Sequence, residues 1–171
     1  MRKVILGLAV SLDGFIEGPN GEYDWCFTDQ DYGLTEFSKG IDALVMGRKT
    51  YDMMKGYEGP NSWGHARTYV FSNKLSATTG IEVLKGDLPT VMNQLKQVEG
   101  KNIWLFGGAD LTTQLINHNL IDEYWLSVHP IILGSGKPLF HDIIGRKQLK
   151  LTETKAYNTG LVSLKYAPQN L

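Results

Sequence analysis

The sequence predicts an α/β fold in which a mixed, mostly parallel sheet is flanked by helices and ends in a C-terminal antiparallel hairpin. Apolar runs rich in Val, Ile and Leu alternate with helical segments along the first 130 residues, as in parallel strands joined by helices. Two further strand-like segments close the chain, separated by the turn residues Asn158-Thr159-Gly160. The length of 171 residues suits one domain over residues 1–171, and 42% hydrophobic with 20% charged residues is a globular balance.

Eight strands are predicted, each a short apolar run bounded by glycine, proline or polar turn residues. The first, residues 4–10, is apolar on both faces and therefore belongs in the centre of the sheet. The others cover residues 42–46, 68–71, 81–84, 102–106, 122–129, 149–157 and 161–166.

Four helices are predicted between these strands. Residues 34–41 and 48–55 form the first two, and Gly56 ends the second. Pro89 suits the first turn of the third helix, whose apolar residues recur at helical spacing until Gly100. The fourth runs from about Leu111 to Asn119.

Two irregular stretches interrupt this pattern. Residues 56–65 are rich in glycine and proline, and residues 13–33 form a long loop whose second half contains the aromatic residues Tyr23, Trp25, Phe27 and Tyr32. A loop this long inside a compact domain is typical of a lid or a binding loop. A covering loop that plugs its aromatic rings into the core is the alternative.

Charge and cysteine content exclude several classes of protein. The net charge is −1, whereas nucleic-acid-binding proteins usually carry a basic excess. Cys26 is the single cysteine, so neither an internal disulfide nor a cysteine-rich zinc site is expected, and no metal is predicted. The N-terminal apolar run is too short for a membrane span and lacks a cleavage site, and we expect a cytoplasmic protein.

Two strand ends carry residues suited to binding phosphate. Gly47-Arg48-Lys49-Thr50 places two cations and a hydroxyl at a helix N-terminus, where a cation opposes the helix dipole unless an anion binds. Gly107-Gly108 follows another buried strand and precedes a helix. Each junction alone could be an ordinary turn. Together they suit NADPH, a dinucleotide with a pyrophosphate and a separate 2′-phosphate.

Familiar alternatives for nucleotide or acyl chemistry are missing from the sequence. It contains neither the G-x-G-x-x-G fingerprint of Rossmann domains nor a G-x-x-x-x-G-K-[ST] phosphate loop. It also lacks a G-x-S-x-G nucleophile elbow, and its histidines show no paired metal-ligand spacing.

These junctions, in this order, resemble the dihydrofolate reductase superfamily. The most specific match is the segment Val45-Met46-Gly47-Arg48-Lys49-Thr50-Tyr51, and further matches are residues 9–16, Phe71-Ser72-Asn73 and residues 103–108. Within the superfamily, Ser11-Leu12-Asp13-Gly14 and the segment of residues 130–140 resemble the reductase domain of the bifunctional riboflavin-biosynthesis deaminase–reductase, as a stand-alone protein. The deaminase motifs H-x-E and P-C-x-x-C are absent.

The resemblance implies a dihydrofolate reductase-like fold and an NADPH-dependent oxidoreductase. Residues at the first junction, with Ser72, would hold the 2′-phosphate end, and residues at the second would hold the pyrophosphate. Ala9 and Ile16 would bracket the nicotinamide. The implied cofactor-binding set is Ala9, Ile16, Gly47, Arg48, Lys49, Thr50, Ser72, Gly107, Gly108, Ala109, Asp110 and Leu111. We expect Gly108 in particular to require glycine, for close approach of phosphate and for an unusual backbone conformation.

The substrate implied is a pyrimidine or pterin, as in reduction of 5-amino-6-(5-phosphoribosylamino)uracil. Asp13, Asp29 or Asp31 would orient this substrate or manage the proton, and Lys137 or Arg67 would meet a substrate phosphate. Dihydrofolate reductase proper, a general pterin or carbonyl reductase, and a non-catalytic nucleotide-binding dimer module are the alternatives. A homodimer is expected, through the apolar segment of residues 130–133 and the late strands.

Overall fold

All eight predicted strands and all four predicted helices are present, together with two short strands that the sequence pattern does not reveal. The computed structural model describes residues 1–55 and 65–169. The predicted glycine- and proline-rich stretch, 56–65, lies outside the described residues except for its last residue. The strands are β1 Val4–Ser11, β2 Phe15–Glu17, β3 Ile41–Gly47, β4 Arg67–Phe71, β5 Glu82–Leu84, β6 Asn102–Gly107, β7 Glu123–His129, β8 Lys137–Pro138, β9 Leu149–Ala156 and β10 Val162–Pro168. The helices are α1 Leu34–Lys39, α2 Arg48–Met54, α3 Leu88–Gln97 and α4 Ala109–Asn117.

The main sheet is mixed and mostly parallel, as predicted. Its strand order is β5-β4-β3-β6-β1-β7-β10-β9. The six strands from β5 to β7 are parallel, whereas β10 runs antiparallel to both β7 and β9. The predicted turn joins β9 to β10, closed by hydrogen bonds between Tyr157 and both Gly160 and Leu161.

Parallel pairing places the carboxyl ends of β1, β3, β4, β6 and β7 along one edge of the sheet. The chain leaves β1 for β3, skipping the position that β6 later fills, so β6 lies between them. The last β1–β6 rung joins Leu6 to Leu105, and β1 continues beyond it to Ser11. Ligands of open α/β sheets bind at such an edge, near the point where strand order reverses.

Helices cover both faces of the sheet because the central strands are apolar on both sides. Alternate residues such as Leu6 and Val45 pack beneath α3 and α4, in the larger of two core clusters. Their neighbours along the strands, such as Ile5 and Leu44, face the opposite side, where Phe37 of α1 and Tyr51 of α2 cover them. No helix in residues 1–55 or 65–169 is long and apolar enough to cross a membrane.

The opposite edge of the sheet carries ion pairs that fasten strand beginnings to helix ends. Lys96 of α3 donates to the Asp122 carboxylate at 2.7 Å, and the same carboxylate accepts the N–H of Val4. Arg2 pairs with Asp42 at the start of β3. These charged side chains pair with one another, so we assign this edge a structural role.

Two elements differ from the sequence prediction. The first helix ends at Lys39 because the Gly40 N–H closes its last turn and the fully buried Ile41 already belongs to β3. The predicted loop of residues 13–33 contains β2, which pairs with β8 in a separate two-stranded sheet. This pairing joins the segment after β1 to the segment after β7.

Candidate active site

The two predicted phosphate-binding junctions meet at the carboxyl edge of the sheet. β3 and β6 are neighbours, so the β3–α2 and β6–α4 junctions lie side by side; we call them the junction pair. A Cβ placed on Gly47 would lie 3.9 Å from the Gly108 nitrogen and 4.0 Å from the Leu111 Cβ. A Cβ on Gly108 would lie 3.2 Å from the Thr50 hydroxyl oxygen. Four residues implied to bind the cofactor therefore form one continuous surface.

The β3–α2 junction presents cations beside uncapped backbone. Gly47 is extended and no side chain caps α2 behind it. Arg48 and Lys49 are exposed, and the Arg48 guanidinium pairs with Asp52 one turn later at 2.6 Å. Such an exposed pair is worth roughly 0–1 kcal/mol, so it leaves Arg48 able to bind a phosphate.

The β6–α4 junction corrects our expectation about its glycines. Gly107 has φ of +111°, the left-handed region that favours glycine, whereas Gly108 has φ of −77° and an ordinary extended conformation. The peptide between them is cis. The unusual backbone conformation predicted for Gly108 thus belongs to Gly107, and the constraint on Gly108 is its contact with Thr50.

The first turn of α4 supplies backbone donors. No side chain caps this helix, and its first helical hydrogen bond runs from Thr112 N–H to the Gly108 carbonyl. The N–H groups of Ala109, Asp110 and Leu111 therefore have no helical acceptor. The Asp110 carboxylate lies 3.5 Å from Nε2 of His141, on the exposed side of the helix.

Ser72 lies next to the junction pair but already has a structural task. It follows Phe71, which is the ladder partner of Gly47. Its hydroxyl oxygen accepts from the N–H groups of Lys74 and Leu75, and the residue is buried. The hydroxyl proton stays available as a donor, so the predicted contact with a 2′-phosphate remains a prediction.

The segment after β1 is held in place by the Asp13 carboxylate. This group accepts the Ser11 hydroxyl at 2.7 Å and the N–H groups of Leu133 and Gly134 at 3.1 and 2.8 Å. Ser11 Oγ in turn accepts the Phe15 N–H at the start of β2. Asp13 therefore shapes the turn between the predicted nicotinamide residues, Ala9 on β1 and Ile16 on β2.

Asp29 and Asp31 lie on the aromatic loop, residues 23–33, on the far side of β1 from the junction pair. Asp29 accepts the Tyr32 hydroxyl at 2.6 Å, and that oxygen also contacts Thr159 in the β9–β10 turn. Asp31 accepts the N–H and hydroxyl of Thr35 and so secures the first turn of α1. Each carboxylate has a structural role, and this role does not test the predicted catalytic one.

The charge states of these three carboxylates limit what they can do. Hydrogen bonds from Ser11, Tyr32 and Thr35 lower the pKa values of Asp13, Asp29 and Asp31 respectively. A carboxylic acid that donates a proton near neutral pH needs a raised pKa. The carboxylates are thus suited to accepting hydrogen bonds from a substrate and to orienting it.

The structure also separates the two cations considered for a substrate phosphate. Arg67 begins β4 and pairs with Glu82 at 3.5 Å, so it lies at the opposite edge of the sheet and cannot serve the site. Lys137 lies in β8, paired with β2 beside the segment after β1, and remains a candidate.

Sequence reasoning missed His129 as a residue of this edge. It ends β7 level with Ser11, its ring contacts those of Trp25 and Phe27, and Nε2 accepts the Phe27 N–H at 3.1 Å. A histidine before a proline at a strand end is usually structural. The aromatic loop would have been the only signal, and its partner cannot be identified from local sequence.

Comparison with known sequences identifies the family. The chain matches the family model of the RibD C-terminal domain over residues 2–163. Uncharacterized protein YyaP of Bacillus subtilis (strain 168) is 44% identical, in a match that covers 96% of this chain and 94% of that protein. Uncharacterized protein YwjB of the same organism is 34% identical over 91% of this chain and 92% of its own.

Solved structures agree with this match. A Shewanella sp. PV-4 protein, provisionally assigned to riboflavin biosynthesis, superposes with a TM-score of 0.85 at 26% identity, covering 99% of this chain and all of that one. The Thermotoga maritima diaminohydroxyphosphoribosylaminopyrimidine deaminase/5-amino-6-(5-phosphoribosylamino)uracil reductase superposes at 0.77 and 17% identity, over 98% of this chain and 57% of its own. The fold is thus the dihydrofolate reductase-like one that the motifs implied, and this chain belongs to the RibD C-terminal domain family.

Proposed function

We propose that this protein is an NADPH-dependent reductase. The observation that carries the proposal is the contact between the two junctions, which joins uncapped backbone donors on α4 to the exposed cations of α2. Backbone N–H groups at a helix start favour phosphate, and arginine binds phosphate oxygens in a fork geometry. A dinucleotide with phosphates at two places requires both features within reach of each other.

The residues present fit this cofactor. The space that a Cβ on Gly47 would occupy lies between the junctions, where its nearest atoms would be at ordinary contact distance. Arg48, Lys49 and Thr50 would hold the 2′-phosphate end, and the first turn of α4 would hold the pyrophosphate. The bound cofactor would supply a hydride. The chain would orient the acceptor beside β1 and exclude water from it.

The substrate we propose is a pyrimidine or pterin ring, similar to 5-amino-6-(5-phosphoribosylamino)uracil. Aromatic rings border the edge near β1 and β7, where Trp25 and Phe27 pack on His129. The Asp13 carboxylate would accept hydrogen bonds from the substrate, with Asp29 and Asp31 as the other candidates. Dihydrofolate reductase and a general pterin or carbonyl reductase remain the alternatives within this chemistry.

Gly47→Ala tests the cofactor site with the least damage to the fold. The new Cβ meets ordinary contacts and φ at Gly47 is −77°, so we expect an unchanged melting temperature. Affinity for both NADPH and NADH should fall by about tenfold or more, because both carry the pyrophosphate. Gly40→Ala, immediately before the other end of the same strand, is the matched control. Unchanged cofactor affinity in folded Gly47→Ala protein would remove the main support for the proposal.

Turnover separates an enzyme from a binding module. Loss of NADPH absorbance is followed with the phosphoribosylamino-uracil, with dihydrofolate and with small carbonyl compounds. Oxidation with the first alone supports the riboflavin-type reaction, and oxidation with dihydrofolate supports the pterin alternative. Tight NADPH binding without turnover on any of them would favour the non-catalytic module.

We also propose that the protein is a homodimer that uses the surface after β7 and the late strands. Ile132 and Ile144 are 70% and 74% exposed, and β9 is an edge strand exposed along most of its length. Exposed apolar groups beside an unpaired strand edge are typical of association surfaces. Light scattering should give about twice the chain mass of 19.1 kDa, and a particle of one chain mass would contradict the dimer.

A further inference from the structure

We propose that the neutral imidazole of His129 is a latch that holds the aromatic loop against the carboxyl end of β7, and that protonation of His129 opens the loop. The proposal concerns a positioning residue. Its relevance to catalysis rests on the proposed reductase function, whereas the latch itself rests only on the contacts around one ring.

The partners of the ring fix its protonation state. Nδ1 lies 3.0 Å from the Ser127 carbonyl oxygen, which can only accept, so Nδ1 carries the proton. Nε2 lies 3.1 Å from the Phe27 backbone nitrogen, whose N–H can only donate, so Nε2 carries none. Both ring nitrogens are satisfied in the neutral form alone. A second proton on Nε2 would face the Phe27 N–H, donor against donor, and the loop would lose this bond.

The loop and β7 are far apart in sequence, so the Phe27–His129 hydrogen bond is a long-range tertiary contact. His129 is only 3% exposed, and the rings of Trp25 and Phe27 contact it with centroids at 5.3 and 5.0 Å. The loop has a second fastening, where Tyr32 contacts Thr159 and packs its ring on Tyr157. Residues 25–29 therefore depend on the bond to the titratable His129 ring, whereas residues near α1 are held by the Tyr32–Thr159 contact, which does not titrate near neutral pH.

The closed position also carries a cost that protonation would relieve. Nε1 of Trp25 is buried without a hydrogen-bond partner in the part of the chain that the structure describes. A buried donor without an acceptor destabilises the state that buries it. Opening would let water reach this N–H, which offsets part of the free energy lost with the bond at His129.

The surrounding charges leave the switch to His129 itself. Burial lowers the pKa of His129, and hydrogen bonding to Ser127 partly opposes this. Charged groups on the packed elements are Asp13 beyond β1, Asp24, Asp29 and Asp31 on the loop and Lys165 on β10, and the shift comes from burial and the Ser127 hydrogen bond rather than from these charges. The thiol of Cys26, with its pKa raised to about 11, stays neutral. The switch should therefore operate below the ordinary histidine pKa, in mildly acidic solution.

Histidine nitrogen NMR on the protein without cofactor tests the latch directly. We expect His129 to be the neutral Nδ1–H tautomer at pH 7, with a midpoint below 6.5. Exchange protection of the Phe27 amide, corrected for intrinsic rates, should fall about tenfold per pH unit below that midpoint. The Leu105 amide in the core serves as the control for global unfolding and should not follow it.

Two variants distinguish the latch from packing. His129→Gln keeps an acceptor for Phe27 and a donor for Ser127 without titrating, so protection should remain and its extra pH dependence should disappear. His129→Phe keeps ring packing without the acceptor and should leave Phe27 unprotected at every pH. A protonated His129 at pH 7, an Nε2–H tautomer, or the wild-type pH dependence in His129→Gln would overturn the proposal.

The reductase hypothesis stands or falls separately. These readouts need neither cofactor nor substrate, so an inactive protein can still show the latch. If the protein is a reductase, KM for substrate should rise with the same midpoint in the wild type but not in His129→Gln. Kd for NADPH should not follow it, because the junction pair lies on the other side of β1.

Discussion

The two halves of the candidate site are built by different means. The junction pair is built mainly from backbone, with three glycines at the strand ends and uncapped N–H groups in the first turn of α4. The half around β7 is built from side-chain contacts, such as His129 accepting the Phe27 backbone N–H and Asp29 accepting the Tyr32 hydroxyl. The first half is set by strand order, whereas the second depends on contacts between segments that are distant in sequence.

The three junction glycines are each needed for a different physical reason. Gly107 needs its positive φ, Gly108 has the Thr50 hydroxyl against it, and Gly47 has neither constraint. Alanine variants at these positions should therefore differ in how much they lower stability, although all three should weaken ligand binding. Comparing the three alanine variants can therefore separate effects on stability from effects on ligand binding at neighbouring positions.

The largest effect is expected from Gly107→Ala. A Cβ at this position meets no atom within 4 Å, so the cost is backbone strain alone, about 1–3 kcal/mol of unfolding free energy. Distortion of the junction should also weaken NADPH and NADH together. Denaturant unfolding and cofactor titration measure both effects. A fully stable Gly107→Ala protein would show that the left-handed conformation is not required there.

Arg48→Ala should produce the next largest effect, and on one cofactor only. A charge-assisted hydrogen bond is worth about 1.5–3 kcal/mol, so NADPH affinity should fall roughly tenfold to a hundredfold while NADH affinity barely changes. Arg67→Ala is the control, because that arginine lies at the opposite edge in its own ion pair. An equal loss for both cofactors would contradict the assignment of Arg48 to the 2′-phosphate.

The junction half was predictable from sequence because its signals are local. A glycine at each strand end and Arg48 beside a helix start can be read without knowing their neighbours, and parallel strand order brings them together. The eight main strands were predicted for the same reason, since each is a continuous apolar run. What the sequence could not show is which glycine adopts the unusual φ, because this depends on how β6 enters α4.

The other half could not be predicted because its contacts join distant segments. Nothing near His129 indicates Phe27, and Tyr32 meets Thr159 across 127 positions. The two-residue strand β8 is too short to show alternation, so its pairing with β2 was also missed. Polar side chains in long loops form such contacts only after the sheet has placed their partners.

Tyr32→Phe should loosen the aromatic half and leave the junction pair unchanged. The change removes the hydroxyl that joins Asp29 and Thr159, at a cost of about 0.5–1.5 kcal/mol in unfolding free energy. Cofactor affinity should stay the same. Tyr23→Phe, in the same loop but exposed, is the matched control. Altered NADPH affinity in Tyr32→Phe would show that the two halves are coupled.

The smallest effect is expected from Asp31→Asn, and it distinguishes a helix-stabilising carboxylate from a catalytic one. Hydrogen bonds from Thr35 lower the pKa of Asp31, so its contribution is present above the unfolded-state value and is lost as pH falls through the folded-state value. Asparagine stabilises a helix start almost as well, so unfolding free energy at pH 7 should change by only a few tenths of a kcal/mol. Below about pH 4 the wild type should lose stability that Asp31→Asn retains, because asparagine does not titrate.

Asp87→Asn provides the comparison that makes this small effect informative. Asp87 caps α3 through Thr90, and its pKa is lowered for the same reason, but it follows β5, at the far end of the sheet from β1 and β7. The two variants should flatten the acid limb of stability alike. Turnover measured at pH 7 then isolates any chemical role, since a structural carboxylate at either position leaves kcat unchanged. A loss of kcat in Asp31→Asn alone would place Asp31 at the substrate, whereas equal behaviour of the two variants leaves Asp13 and Asp29 as the candidates.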